Sequence, residues 1–183
     1  MTKKCALLIG ITYPRSPHYL PGCENDIKNM HKRLLKCGYT DFIICCDVAG
    51  LFSFKTLNTT WGGIATGFNQ LIDITKKNPY CEVFIHYSGH GVQYKDNNGD
   101  ELDKKDECIV TRDLYLVRDD TLNQMLSNIC ACTRVICVLD CCHSATILDL
   151  KYKWDSKKSK FTSESKKTLP SNVLMISGCM DIQ

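Results

Sequence analysis

The feature that most constrains the fold of this chain is the alternation of short apolar runs with segments of helical periodicity. The apolar runs predict five strands, at Cys5–Ile11, Phe42–Cys46, Val83–Tyr87, Val135–Leu139 and Val173–Ile176. Between them, apolar residues at helical spacing predict helices over Asn25–Leu35, Ile64–Thr75 and Leu122–Ile129. Strands that alternate with helices form a mostly parallel sheet with helices on both faces, so the predicted fold class is α/β.

Two polar segments interrupt this alternation. Lys95–Glu107 is acidic and contains glycine, whereas Lys151–Thr168 holds seven lysines and four serines among few apolar residues. The composition of the second segment is typical of a mobile surface loop. Because strand patterns continue on both sides of each segment, neither marks a domain boundary, and residues 1–183 are predicted to form a single domain.

Charge and the N-terminal residues exclude several classes of protein. The net charge is only +3, and no dense basic stripe is present, which argues against binding to nucleic acid. The apolar run Cys5–Ile11 is too short to span a membrane, and no small-residue cleavage site follows it. We therefore expect a cytoplasmic protein that binds neither nucleic acid nor a membrane.

The chain contains thirteen cysteines, an odd number, and several of them lie inside apolar runs. Disulfide frameworks are typical of short, loop-rich secreted chains, so buried free thiols in a reducing compartment are the better interpretation. A structural zinc site is the alternative, since Cys130 and Cys132 form a Cys-x-Cys pair. No second pair follows at zinc-ligand spacing, which argues against zinc.

Reactive side chains follow two of the predicted strands. The third strand runs into Tyr87-Ser88-Gly89-His90-Gly91, and the fourth runs into Asp140-Cys141-Cys142-His143-Ser144. Functional groups of open α/β sheets collect at the carboxyl ends of the strands. If these two strands are neighbours, His90 and Cys142 emerge at the same edge of the sheet and can meet.

A histidine beside a cysteine can perform nucleophilic catalysis. The thiolate is the attacking species, and a nearby imidazole takes the thiol proton and later protonates the leaving amine. The backbone N–H groups of Gly91 and Cys142 are candidates for an oxyanion hole. Alternatively, His90 is a core histidine and Cys142 one more buried thiol. Cys141 points away from its neighbour on an extended chain and is assigned to packing, and His143 to shaping the loop.

These segments resemble the histidine and cysteine boxes of metacaspases, the caspase relatives of plants, fungi, protists and bacteria. The separation of His90 from Cys142 also resembles the caspase spacing of about 50 residues. Leu20-Pro21-Gly22-Cys23-Glu24-Asn25-Asp26 and Ser177-Gly178-Cys179 resemble further segments of the family pattern. The resemblance extends from Lys4 to Gln183. It implies a caspase-like three-layer sandwich and a cysteine endopeptidase that needs no organic cofactor.

The resemblance also implies a basic substrate and a calcium ion. Asp26 and Asp140 match the acidic pocket that selects Arg or Lys before the scissile bond, and Ser88 matches the pocket edge. A desolvated carboxylate pair would favour such a cationic side chain. The carboxylates that match the calcium site are Asp106, Asp119, Asp120 and Asp149, and calcium prefers several oxygen ligands of this kind. Alternatively, Asp26, Asp119 and Asp120 are only acids at the starts of helices.

An enzyme that cleaves after lysine can also cleave itself in an exposed lysine-rich loop. The candidate self-cleavage sites are Lys157, Lys158, Lys160, Lys166 and Lys167. The expected partners are proteins or peptides with a basic residue before the scissile bond, and we expect a monomer rather than an obligate dimer.

The sequence departs from the family pattern in two places. Ala145 stands where many metacaspases have glycine, and Gln183 ends the chain where the pattern continues with another helix and strand. The second difference keeps open a non-enzymatic caspase-like module that binds or regulates a partner. A nucleotide-binding domain is a third hypothesis. No Gly-x-Gly-x-x-Gly follows the first strand and no P-loop sequence is present, which argues against it.

Overall fold

The computed structural model describes residues 2–95, 105–144, 146–163, 165 and 167–178. Its helices are α1 (Cys23–Lys36), α2 (Trp61–Lys77) and α3 (Asp119–Ser127). The first strands are β1 (Lys4–Gly10), β2 (Asp41–Cys46), β3 (Glu82–Ser88), β4 (Gly91–Lys95) and β5 (Lys105–Val110). They are followed by β6 (Leu116–Arg118), β7 (Arg134–Asp140), β8 (Tyr152–Asp155), β9 (Lys160–Ser163) and β10 (Asn172–Ser177).

The central element is a five-stranded sheet with the strand order β10-β7-β3-β1-β2. Every neighbouring pair in this sheet is parallel. The five strands are the five apolar runs of the sequence, and the three helices lie at the segments of helical periodicity, with ends shifted by a few residues. The predicted α/β class with a parallel sheet is therefore confirmed.

Helices cover both faces of this sheet because the side chains of each strand alternate in direction. On one face, Leu7 of β1 belongs to a core cluster with Phe68 of α2 and Leu126 of α3. On the other face, Leu8 packs in a second cluster with Ile27 of α1. Each fully buried side chain of this size stabilises the fold by about 1.5–3 kcal/mol. The result is the predicted arrangement of three layers.

A small antiparallel sheet, β4-β5-β6, includes residues at both ends of the first polar segment. The sequence patterns did not predict these strands. The sheet is attached to the site described below, because the N–H of Val110 donates to the carbonyl oxygen of His90 at 3.1 Å. Residues 96–104 of the Lys95–Glu107 segment lie outside the described residues.

The prediction of a mobile loop over Lys151–Thr168 is wrong for residues 152–163, which form the antiparallel hairpin β8–β9. Trp154 and Phe161 face each other across it, with ring centroids 5.2 Å apart. Both rings are more than half exposed, at 54% and 63%, so the apolar signal of a buried strand is missing. Cross-strand aromatic pairing stabilises the hairpin instead.

The twelve cysteines that the structure describes are all free, which agrees with the predicted thiols, and Cys179 lies outside the described residues. Most of them are buried, namely Cys5, Cys23, Cys45, Cys46, Cys81, Cys108, Cys137 and Cys141. Among the described residues, no helix combines the length and the apolar character needed to cross a bilayer. The cytoplasmic location stays a prediction.

Candidate active site

The register of β3 and β7 brings the two predicted reactive residues to one edge of the sheet. The strands are parallel neighbours, and Ser88 at the end of β3 pairs with Asp140 at the end of β7. His90 and Cys142 each follow two residues later. The N–H of Gly89 donates to the carbonyl oxygen of Asp140 at 3.4 Å, and this bond holds the segments that follow β3 and β7 together.

Hydrogen bonds fix the orientation of His90. Its backbone N–H donates to the hydroxyl of Tyr13 at 3.0 Å, and the two rings lie with centroids 4.7 Å apart. Its ring atom Nε2 lies 2.8 Å from the carbonyl oxygen of His18. Because a carbonyl oxygen can only accept, Nε2 must carry the proton, which leaves the lone pair of a neutral ring on Nδ1.

Tyr13 is itself held firmly. Its hydroxyl donates to the carbonyl oxygen of Val110 at 2.7 Å and lies 3.3 Å from the hydroxyl of Tyr87. The Tyr87 hydroxyl reaches the carbonyl oxygen of His90 at 2.8 Å. Burial raises the pKa of Tyr13 to about 12, so its hydroxyl stays protonated at neutral pH. Two buried tyrosines therefore support the main chain at His90.

The two adjacent cysteines have different surroundings. Cys141 is buried in the core cluster, in agreement with the packing role predicted for it, whereas Cys142 is exposed. The Cys142 peptide lies directly against Gly91, since a Cβ added at Gly91 would be 2.0 Å from the Cys142 carbonyl oxygen. Only glycine permits this approach. His143 has φ 52, a left-handed conformation that turns the chain after Cys142.

The residues predicted to bind a basic side chain lie beside this edge on the α1 face. The Ser88 hydroxyl donates to Asp26 Oδ2 at 2.7 Å, which joins the end of β3 to the first turn of α1. Asp26 and Asp140 both act electrostatically on His86, a buried residue of β3. Burial lowers the pKa of His86, and the two carboxylates partly oppose this.

The expectation of a desolvated carboxylate pair is wrong in one respect. Asp26 is half-buried, but Asp140 is exposed. Asp140 ends β7, and the side chains on this face of the strand are half-buried or exposed. A Cβ on Gly178 would lie 3.0 Å from Asp140 Oδ1, so the segment after β10 borders this carboxylate.

The four aspartates predicted to bind calcium come from three parts of the chain. Asp106 lies on β5, Asp119 and Asp120 begin α3, and Asp149 lies on the loop after β7. Oxygen atoms of Asp119, Asp120 and Asp149 all lie within 4.8 Å of one another. Arg118 Nε lies 3.5 Å from Asp106 Oδ2. Cys130 and Cys132 are not part of any group of candidate metal ligands among the described residues.

The carboxylate of Asp119 is buried, and its burial and the neighbouring aspartates raise its pKa. It is 1% exposed and accepts from the backbone N–H of Glu107 at 2.9 Å. Burial raises the pKa of Asp119 to about 7, its two backbone hydrogen bonds lower it, and the charges of Asp149 and Asp106 raise it further. The charges of Asp149 and Asp106 therefore act on Asp119, and its role as a calcium ligand stays a prediction.

The family of the chain follows from comparison with known proteins. The family description "Metacaspase, peptidase C14 domain" matches residues 3–151. The chain belongs to the metacaspase family. Metacaspase-2 of Trypanosoma brucei brucei (strain 927/4 GUTat10.1) is 34% identical over 192 residues, which covers 97% of this chain and 54% of that protein. Metacaspase-7 of Arabidopsis thaliana is 33% identical over 183 residues, with 92% and 44% covered.

The metacaspase relatives are longer proteins, since this chain spans about half the length of those that it matches. Among solved structures, protein GSU0716 from Geobacter sulfurreducens has a TM-score of 0.65 at 24% identity, covering 99% of this chain and 74% of that one. That similarity concerns the fold. It agrees with the three-layer α/β architecture.

The donor set of the acidic group suits a hard divalent metal ion. All of its donors are carboxylate oxygens, the ligands that a hard divalent cation prefers. It also already holds a cation, because Lys167 Nζ lies in contact with Asp120 Oδ1 and Asp149 Oδ2. Lys167 was predicted only as a self-cleavage site. The donor chemistry and the ammonium group together show that the position favours positive charge.

The other candidate self-cleavage lysines have different environments. Lys157 and Lys158 lie in the tight turn of the β8–β9 hairpin, and Lys160 begins β9, where all three are exposed. Lys158 also pairs with Asp155 at 3.0 Å. Lys166 and Ala145 lie outside the described residues. Self-cleavage at any of these lysines stays a prediction.

Three contributions to the site could not be found in the sequence. The His18 carbonyl is a backbone group, and its position depends on the loop after β1. Tyr13 has φ 51, a conformation that is unusual for tyrosine, and it reaches His90 only through the fold. The contact of Lys167 with the acidic group joins residues that are distant in sequence.

Proposed function

We propose that this chain is a cysteine endopeptidase with Cys142 as nucleophile and His90 as its base. The observation that carries the proposal is the pairing of Ser88 with Asp140, which brings both residues to the same edge of the sheet. The packing of Gly91 on the Cys142 peptide and the fixed orientation of the His90 ring support it.

The reaction proceeds in two steps on these groups. Nδ1 of His90 takes the proton of the Cys142 thiol, and the sulfur attacks the substrate carbonyl carbon. The oxyanion accepts hydrogen bonds from the backbone N–H groups of Gly91 and Cys142. His90 then gives its proton to the leaving amine, and the C–N bond breaks. Water, deprotonated by His90, hydrolyses the thioester and returns the free thiol.

The His18 carbonyl assists this proton transfer. It accepts the Nε2–H bond at 2.8 Å and so keeps Nδ1 as the basic nitrogen. It also stabilises the imidazolium that forms when the thiol loses its proton. Tyr13 holds the backbone of the same residue at 3.0 Å, so both the ring and the main chain of His90 are fixed before substrate binds.

Substrate selection is assigned to the carboxylates on the α1 face. The side chain of an arginine or lysine before the scissile bond would lie between Asp26 and Asp140, with Ser88 orienting Asp26 through its 2.7 Å hydrogen bond. An exposed Asp140 can still contribute, because substrate binding itself removes water from the pocket. The substrates are proteins or peptides, and the predicted monomer stays a prediction.

Calcium is proposed to stimulate the enzyme through Asp106, Asp119, Asp120 and Asp149. The ion would order the loop that carries Cys142, since Asp149 lies on that loop. It would take no part in the chemistry, because its proposed ligands are separate from the cysteine and histidine pair.

Matched fluorogenic peptides that end in Arg, Lys or Asp test the proposal, each with calcium and with chelator. Wild type should cleave after Arg and Lys, and Cys142→Ala should abolish cleavage. Cys132→Ala is the control because it removes another exposed thiol. Asp26→Asn should raise KM for basic peptides by about tenfold or more, the expected cost of a lost charge-assisted contact. Asp73→Asn, on the exposed side of α2, should not.

The outcomes separate the parts of the proposal. Cleavage after Asp would retain the catalytic pair and reject the acidic pocket. Equal rates in calcium and chelator would reject stimulation by calcium. No cleavage by folded wild type, together with no labelling of Cys142 by a thiol-reactive peptide carrying Arg, would favour the non-enzymatic module.

A further inference from the structure

Lys167 provides a positive charge inside the acidic group from a distant part of the chain. Its Nζ contacts Asp120 Oδ1 and Asp149 Oδ2, and its side chain is 29% exposed. The Asp149 side chain is only 4% exposed. The backbone N–H of Lys167 donates to Ser165 Oγ at 3.1 Å, and Leu169 packs against the main core cluster. The contact of Leu169 thus holds the segment that carries the lysine against the core.

Electrostatics explains why the ammonium lies there. The carboxylates of Asp119, Asp120 and Asp149 converge within 4.8 Å, and two of them are buried. Buried like charges repel strongly unless a cation is present, so removing all positive charge would destabilise the loop or force protonation. The Lys167 ammonium supplies one positive charge to these carboxylates, so no ion from solution is needed for that charge.

The ammonium and a calcium ion cannot share this position. Calcium binds oxygen at about 2.3–2.6 Å, and an ammonium group lies about 2.7–2.9 Å from a carboxylate. Both cations would bind the carboxylates of Asp120 and Asp149, and one ligand oxygen from each lies with that of Asp119 in a group within 4.8 Å. Two cations held that close would repel each other in a partly dehydrated site.

We propose that Lys167 is a tethered competitor of calcium, which the ion must displace from Asp120 and Asp149 before it can bind. The inference rests on the calcium site of the proposed function and adds its regulation. Calcium then binds by replacing the Lys167 ammonium, and this replacement raises the calcium concentration that is needed to fill the site. The apparent affinity falls by the fraction of time for which Lys167 leaves the carboxylates free.

Calcium titration calorimetry tests the competition on protein that cannot cleave itself. The background is Cys142→Ala, with Lys167→Met added. Methionine keeps much of the apolar stem and removes the ammonium. The Kd for calcium should fall at least about tenfold, which corresponds to a lysine bound about nine-tenths of the time. Lys157→Met is the matched control, because it makes the same change at an exposed lysine in the hairpin turn.

A second measurement needs no substitution at Lys167. Brief acetylation of the amines in the Cys142→Ala protein, read by mass spectrometry, should modify Lys167 slowly in chelator and at least about tenfold faster in saturating calcium. The exposed Lys160 should react at the same rate in both conditions.

The outcomes distinguish this inference from the function on which it rests. If neither protein takes up calcium, the calcium site itself is rejected. If both bind calcium with the same Kd, or Lys167→Met binds more weakly, the site is retained and the competition is rejected. If Lys167→Met fails to fold, the acetylation experiment tests the proposal alone. An acetylation rate of Lys167 that is the same in chelator and in saturating calcium overturns the proposal.

Discussion

Gly91→Ala tests whether the contact between β4 and the cysteine loop positions the nucleophile. The new Cβ would lie 2.0 Å from the carbonyl oxygen of Cys142 and 3.1 Å from Cys141 Sγ. Carbon and oxygen atoms rarely approach within about 3 Å, so the two segments must separate by about 1 Å. Because the obstacle is a backbone oxygen, no change of rotamer can relieve it.

A displacement of this size should affect catalysis more than stability. Moving a reacting group by about 1 Å costs about 100-fold in rate, while overpacking destabilises by about 1–3 kcal/mol. We expect kcat/KM for an Arg peptide to fall about 100-fold, with most of the loss in kcat. The rate of Cys142 labelling by a thiol-reactive Arg peptide should fall in parallel. Urea unfolding measures the change in stability.

Gly62→Ala is the control for the loss of a glycine. No atom lies within 4 Å of its added Cβ, and the residue is in the first turn of α2. Helix propensity predicts a gain of about 0.5–1 kcal/mol and unchanged kinetics. A folded Gly91→Ala protein with wild-type kcat/KM and labelling rate would refute the positioning role of this contact.

Three further predictions concern the surroundings of the site. Tyr13→Phe removes the partner of the His90 backbone N–H and should lower the free energy of unfolding by about 1–3 kcal/mol and reduce kcat, as measured by urea unfolding and peptide hydrolysis. Burial raises the pKa of Cys45 to about 12, so brief iodoacetamide treatment should spare such thiols until the protein unfolds and modify the exposed Cys37, Cys132 and Cys142. Burial lowers the pKa of His86 from its ordinary value of 6.5, so the folded state binds fewer protons than the unfolded state below that pH and loses stability as pH falls. The drop in Tm from about pH 7.5 to about pH 5.5 should therefore be larger in wild type than in His86→Gln.

The parallel sheet could be predicted from the sequence because its strands are continuous apolar runs, and β1, β2 and β3 are buried along most of their length. The run Cys5–Ile11 and its counterparts are apolar at nearly every position, which is the pattern that such burial requires. The position of His90 and Cys142 at one edge of the sheet depends on one more fact, the adjacency of β3 and β7, which no local pattern contains. The candidate residues could be named from sequence, whereas their common edge depended on topology.

The hairpin and the acidic group show where such prediction fails. In β8, Tyr152 and Trp154 alternate with Lys153 and Asp155, which is a strand period, but the aromatic face points to solvent. Because the segment also contains many lysines and few apolar residues, its composition predicted a loop. The contact of Lys167 with Asp120 joins charges that are far apart in sequence, and surface charges have many alternative partners.

The loop that carries Cys142 is anchored at its far end by groups outside the proposed catalytic pair. The amide of Asn123 on α3 donates to the carbonyl oxygen of Leu148 at 2.8 Å, and Thr146 donates to Glu107 of β5 at 2.7 Å. Asp149 follows directly and contributes its carboxylate to the acidic group. A cation bound there acts on the end of a loop whose beginning holds the thiol. We therefore expect an exchange of Lys167 for calcium to act on the cysteine loop through this far end.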